Sequence, residues 1–63
     1  MKADEIRKMS VEDIKKEITS AYMELKNVTD NIRVGKEKNV RKSLNIKRNI
    51  ARMLTVLKQK QNS

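Results

Sequence analysis

Arg41, Arg48 and Arg52 stand at i, i+7 and i+11. On a helix that spacing lines three guanidinium groups along one stripe beside an apolar seam. Each can fork two N–H groups onto the oxygens of a phosphate. Lys47 adjoins Arg48 on the neighbouring edge, Lys58 lies further along, and Lys42 follows Arg41. Arg41, Lys42, Lys47, Arg48, Arg52 and Lys58 are therefore the candidate binding residues, and the chemistry is neutralisation of a polyanion. A solvated helix face usually mixes charge signs. The segment holding these six does not.

The whole chain shows the same asymmetry. It has 63 residues and a formal net charge of +8. Residues 1–32 carry six basic and seven acidic residues, a balance of −1, whereas residues 33–63 carry ten basic residues and a single acid, Glu37, a balance of +9. Surplus charge confined to one half presents a face to something anionic, and nucleic acid is the first candidate.

Catalytic chemistry has little to work with. There is no Cys and no His. That removes the thiolate nucleophile, the disulfide, the commonest metal ligand and the commonest general base. Asp4, Glu5, Glu12, Asp13, Glu17 and Glu24 belong on a helix surface rather than in a cleft, and the hydroxyls have no base beside them. The Gly35-Lys36-Glu37-Lys38 segment lacks the second glycine and the Lys-Ser/Thr ending of a phosphate-binding loop. The expectation is no enzyme, no cofactor, no metal and no small-molecule substrate.

Tyr22 is the only aromatic residue, which argues against a reader of single strands that stacks bases on aromatic platforms. It flanks Ala21 and Leu25 and is expected to pack at the seam edge, as are the methionines, Met23 included. No apolar run approaches the ~20 residues of a membrane span. The first ten residues are too polar for a signal peptide. A cytoplasmic location is expected.

The elements that must hold the basic stripe follow from periodicity. Val11, Ile14, Ile18, Ala21, Leu25, Val28 and Ile32 form an a/d heptad. Ser10 is an N-cap and Gly35 a C-terminal cap, so one helix should span about 11–33. Glu12, Lys15, Lys16, Lys26 and Asp30 fall on its solvent face. After a loop over 34–39, with Asn39 as N-cap, a second helix should span about 40–58. Its stripe is Ile46, Ile50, Met53 and Leu57, widened by Leu44, Ala51 and Leu54. The tail over 59–63 is expected to fray. Ile6 and Met9 suggest a short N-terminal helical turn closing the hairpin's end. The fold class is all-α: an antiparallel two-helix hairpin in one domain over 1–63.

The stretch Ile46-Lys47-Arg48-Asn49-Ile50-Ala51-Arg52-Met53-Leu54-Thr55 resembles the signature of large-subunit ribosomal protein twenty-nine, of the bacterial type. The opening Met1-Lys2, Glu5-Ile6-Arg7, then Ser10 and Glu12-Asp13-Ile14, is similar to that family's start. Ser43 stands where the family often has an apolar residue. The resemblance implies a structural protein on large-subunit rRNA, with Lys47, Arg48 and Arg52 on the RNA. It also implies a place near the polypeptide exit tunnel, beside the twenty-third large-subunit protein, where chaperones and targeting factors dock. Two rivals stand beside it. One is a protein-only coiled-coil adaptor, in which the heptad pairs between chains. The other is a basic helix lying on a membrane surface, which the missing Trp and Phe anchors disfavour.

Overall fold

A computed structural model describes residues 2–62. Met1 and Ser63, at the outer ends of the expected N-terminal turn and polar tail, lie outside them. Three helices follow one another: α1 over Ala3–Arg7, α2 over Val11–Arg33 and α3 over Val40–Asn62. α2 and α3 pack along their length as a hairpin, and α1 packs on α3. The result is a rod of 43 × 17 × 15 Å, its long dimension close to the ~34 Å that 23 helical residues span, plus the turns at each end.

The boundaries of α2 have local causes. The Ser10 hydroxyl accepts from the Asp13 amide at 3.2 Å, and Glu12 and Asp13 put negative charge at the positive helix end. At the other end Gly35 takes φ +81°, a conformation open to glycine without steric cost. Its N–H donates to the Ile32 carbonyl at 3.1 Å, and the Lys36 N–H donates to Asn31 at 2.8 Å. This pair of bonds is the Schellman closure of a helix end. In the loop the Glu37 carboxylate accepts from the Asn39 N–H at 3.0 Å. The Asn39 carbonyl accepts from Lys42 at 3.2 Å, and α3 starts at the next residue.

The core is a single seam. Ile6, Ile14, Ile18, Val28, Ile46, Ile50, Met53 and Val56 are buried, with Met9, Ala21, Leu25, Ile32 and Leu57 packed around them. The α2 heptad faces inward from Ile14 to Ile32 as expected, whereas Val11 at its start is half-buried and outside the cluster. The expected widening of α3 does not occur: Leu44 and Leu54 are 45% and 43% exposed, and Ala51 is exposed too. Only α2 and the five-residue α1 are available to cover α3, so its buried arc stays narrow. Val56 and Ser43 take the inward places instead. Ser43 satisfies its hydroxyl by donating to the Val40 carbonyl at 2.8 Å, which removes most of the cost of burying it.

Two further expectations change. Tyr22 and Met23 do not pack into the seam; they are 50% and 65% exposed, because the heptad neighbours Ala21 and Leu25 already fill the inward positions. The tail does not fray where expected. α3 runs on through Gln59, Lys60 and Gln61 to Asn62, and the half-buried Lys60 ammonium donates to the Met9 carbonyl. That bond ties the last turns of α3 to the bend between α1 and α2. The expected N-terminal turn is α1, and its Ile6 is fully buried.

Candidate nucleic-acid interface

All six candidate residues are on α3 and all are exposed. Their grouping follows from the ~100° that each residue advances round a helix. Arg41, Arg48 and Arg52 fall within about 40° of one another. They form a rail turned away from α2, toward the flank where α1 lies. Lys47 and Lys58 fall within about 20° of each other and form a second rail. Leu44, Ala51 and Thr55 lie between the rails. Leu44 and Ala51, apolar side chains that the seam does not use, thus sit inside the basic surface, and Leu54 falls on the α2 side of the lysine rail. Lys42 is not brought into this arrangement. It projects about 100° from Arg41, on the side of Asn49 and Lys60.

The structure adds a residue that sequence spacing could not place. Arg7 of α1 lines a shallow groove together with Ala3, Ala51, Arg52, Thr55, Val56 and Gln59. Its guanidinium pairs with Asp4 at 3.1 Å on the surface. Arg7 thus extends the arginine rail across to α1. Nothing in the order of residues signals this; the docking of α1 on α3 creates it.

α3 contains no acidic residue. The acids Asp13, Glu17 and Glu24 fall on one edge of α2, again within about 40°. Glu17 and Glu24 line a second shallow groove, with Ser20 and Ala21 from α2 and Ile46, Asn49 and Met53 from α3. The acidic edge of α2 therefore adjoins the Asn49 side of α3, away from Lys47 and Lys58. The acids Asp13, Glu17 and Glu24 are held off both rails, while Asp4 of α1 stands at the arginine rail, paired with Arg7.

The chemistry available is electrostatic and geometric. Long, exposed cations on a rigid helix can match the phosphates of a structured nucleic acid, and the apolar strip can lie against sugars. Both grooves are open and shallow rather than enclosed pockets. Among the described residues no group of His, Cys, Asp or Glu could hold a metal ion. Among them, too, no helix is long and apolar enough to cross a membrane.

Comparison with known proteins agrees with the resemblance. The Ribosomal L29 protein family matches residues 4–60. The large ribosomal subunit protein uL29 of Staphylothermus marinus is 39% identical over 61 residues, covering 97% of this chain and 91% of that protein. Its counterpart in Rubrobacter xylanophilus is 37% identical over 60 residues, covering 95% and 90%. That of Thermodesulfovibrio yellowstonii is 35% identical over 60 residues, covering 95% and 83%. The match takes in all three helices and both basic rails, and the chain belongs to the ribosomal L29 protein family.

Proposed function

We propose that this chain is a non-catalytic structural constituent of the large ribosomal subunit and binds large-subunit rRNA through the outward face of α3. The observation that carries the reading is the pair of exposed basic rails on a helix with no acidic residue. Membership of a family whose relatives are named as large-subunit proteins supports it. Arg41, Arg48 and Arg52 form one set of phosphate contacts, and Lys47 and Lys58 form the other. Recognition is led by backbone and shape, because A-form RNA hides its base edges in a deep, narrow groove. The place beside the twenty-third large-subunit protein, near the exit tunnel and its chaperones and targeting factors, belongs to the same reading through the family resemblance.

The test is sedimentation with large subunits through a sucrose gradient at high salt. Near-stoichiometric retention in the large-subunit peak is the expected result. Release at high salt with no recovery at low salt would remove the ribosomal reading. The coiled-coil adaptor would then be favoured, although the α2 heptad is already spent on α3 within the chain.

A further inference from the structure

α2 is close to neutral, yet its charges are sorted. Lys15, Tyr22, Lys26 and Arg33 stand at i, i+7, i+11 and i+18. On a helix they fall on one line, within about 40° of one another, and no acid falls on it. Asp13, Glu17 and Glu24 lie on the opposite edge. Glu12 and Asp30, three or four residues from Lys15, Lys26 and Arg33, stand about 60° from the line on the solvent side. The three cations are exposed and make no ion pair among the described residues.

The structure fixes which way this line faces. Glu17 and Glu24 share their groove with Asn49 of α3. The Lys15–Arg33 line must therefore border the other groove of the hairpin, the one flanked on α3 by Lys47 and Lys58. In the middle of that line stands Tyr22, the only aromatic residue of the chain and 50% exposed. A half-open phenol ring between lysines offers a flat face to a base or ribose and a hydroxyl to a phosphate.

We propose that RNA also lies along this groove, held by Lys15, Lys26 and Arg33 opposite Lys47 and Lys58, with Tyr22 against the chain of nucleotides. The hairpin is then gripped from two sides, by the arginine rail of α3 and by this mixed groove. The Glu17–Glu24 edge is the face turned away from RNA. This inference rests on the rRNA reading above and adds to it a second, α2-borne contact.

Tyr22 makes the test direct, because nitration by tetranitromethane has a single target ring. The chain is treated free, bound to deproteinised large-subunit rRNA, and in whole large subunits, and nitrated product is measured by mass. Protection of Tyr22 on the deproteinised rRNA, several-fold relative to the free chain, is the expected result. If the chain binds that RNA while Tyr22 reacts as in the free state, the groove is not an RNA site. Protection in whole subunits alone would mean that a protein neighbour covers the edge, and it would equally overturn the proposal. Failure of the unsubstituted chain to bind at all would instead sink the rRNA reading itself. A companion variant, Lys15→Gln/Lys26→Gln/Arg33→Gln, should keep its helical circular dichroism. It should also lower the slope of log affinity against log salt by roughly 2 to 3 units. An unchanged slope would overturn the α2 contact while leaving that of α3 standing.

Discussion

Arg48 and Arg52 take no part in the apolar core. They point away from α2 and border the exposed Ala51 and Thr55. Arg48→Gln/Arg52→Gln should therefore weaken rRNA binding across sequences and make the salt slope shallower by roughly one unit per residue. If the two α3 rails neutralise about five phosphates, they alone should contribute on the order of −3.5 to −4.5 to the slope of the unsubstituted chain. Filter binding over a salt series measures both, and an unchanged affinity would place the arginine rail in solvent. The charge of these residues and their spacing were legible from the chain alone. Three single positions were not. Hydrophobicity ranks Leu44 and Leu54 above Ser43, but the inward arc is set by where α2 lies, and that arc takes Ser43. The one signal was the resemblance, since Ser43 stands where the family often has an apolar residue. Val56 escaped notice because Leu57 already met the four–three rhythm; α1 covers the neighbouring flank as well. Arg7 reaches the basic surface only through tertiary docking.

At the scale of elements, the ends of α2 carry strong local signals and α3 carries a strong one only at its start. Ser10 and Gly35 each act on the backbone next to them, so the 11–33 span could be read directly from sequence. Gly35 also gives the turn a clear liability. A Cβ there would meet nothing within 4 Å, so substitution acts through the backbone alone. Gly35→Ala should cost about 1–2 kcal/mol, the penalty of a left-handed conformation for an L-residue. Thermal unfolding monitored at 222 nm measures it, and no change in midpoint would show that the Schellman closure rearranges freely. The far end of α3 has no Gly or Pro to stop it. Its polar composition suggested fraying, yet the Lys60 bond to Met9 holds it in place from a distance of 51 residues. Long-range anchors of this kind leave no periodic trace.

The whole molecule is a thin rod with one seam, and its stability depends on few residues. A domain of this size buries little more than about 60% of its unfolded surface. Ile50 is 4% exposed at the middle of that seam. Ile50→Ala should cost roughly 2–5 kcal/mol, enough to leave much of the free chain unfolded. Ligand that binds only the folded form adds stability by mass action. Saturating rRNA should therefore restore helicity to the variant, and circular dichroism with and without RNA decides the point. No recovery at saturating RNA would mean that the RNA holds the chain without needing the hairpin.

The bond between Lys60 and Met9 also sets an order of events during synthesis. A chain leaves the ribosome N-terminus first, so α1 emerges long before the last turns of α3 that it packs beside. Until those residues follow, Ile6 lacks the α3 side chains of its cluster, and the Met9 carbonyl of the α1–α2 bend has no ammonium to accept from. α1, made before the two hairpin helices, is thus among the last elements to settle. Loss of the final turn would release both α1 and the tail of α3, which meet at one end of the rod.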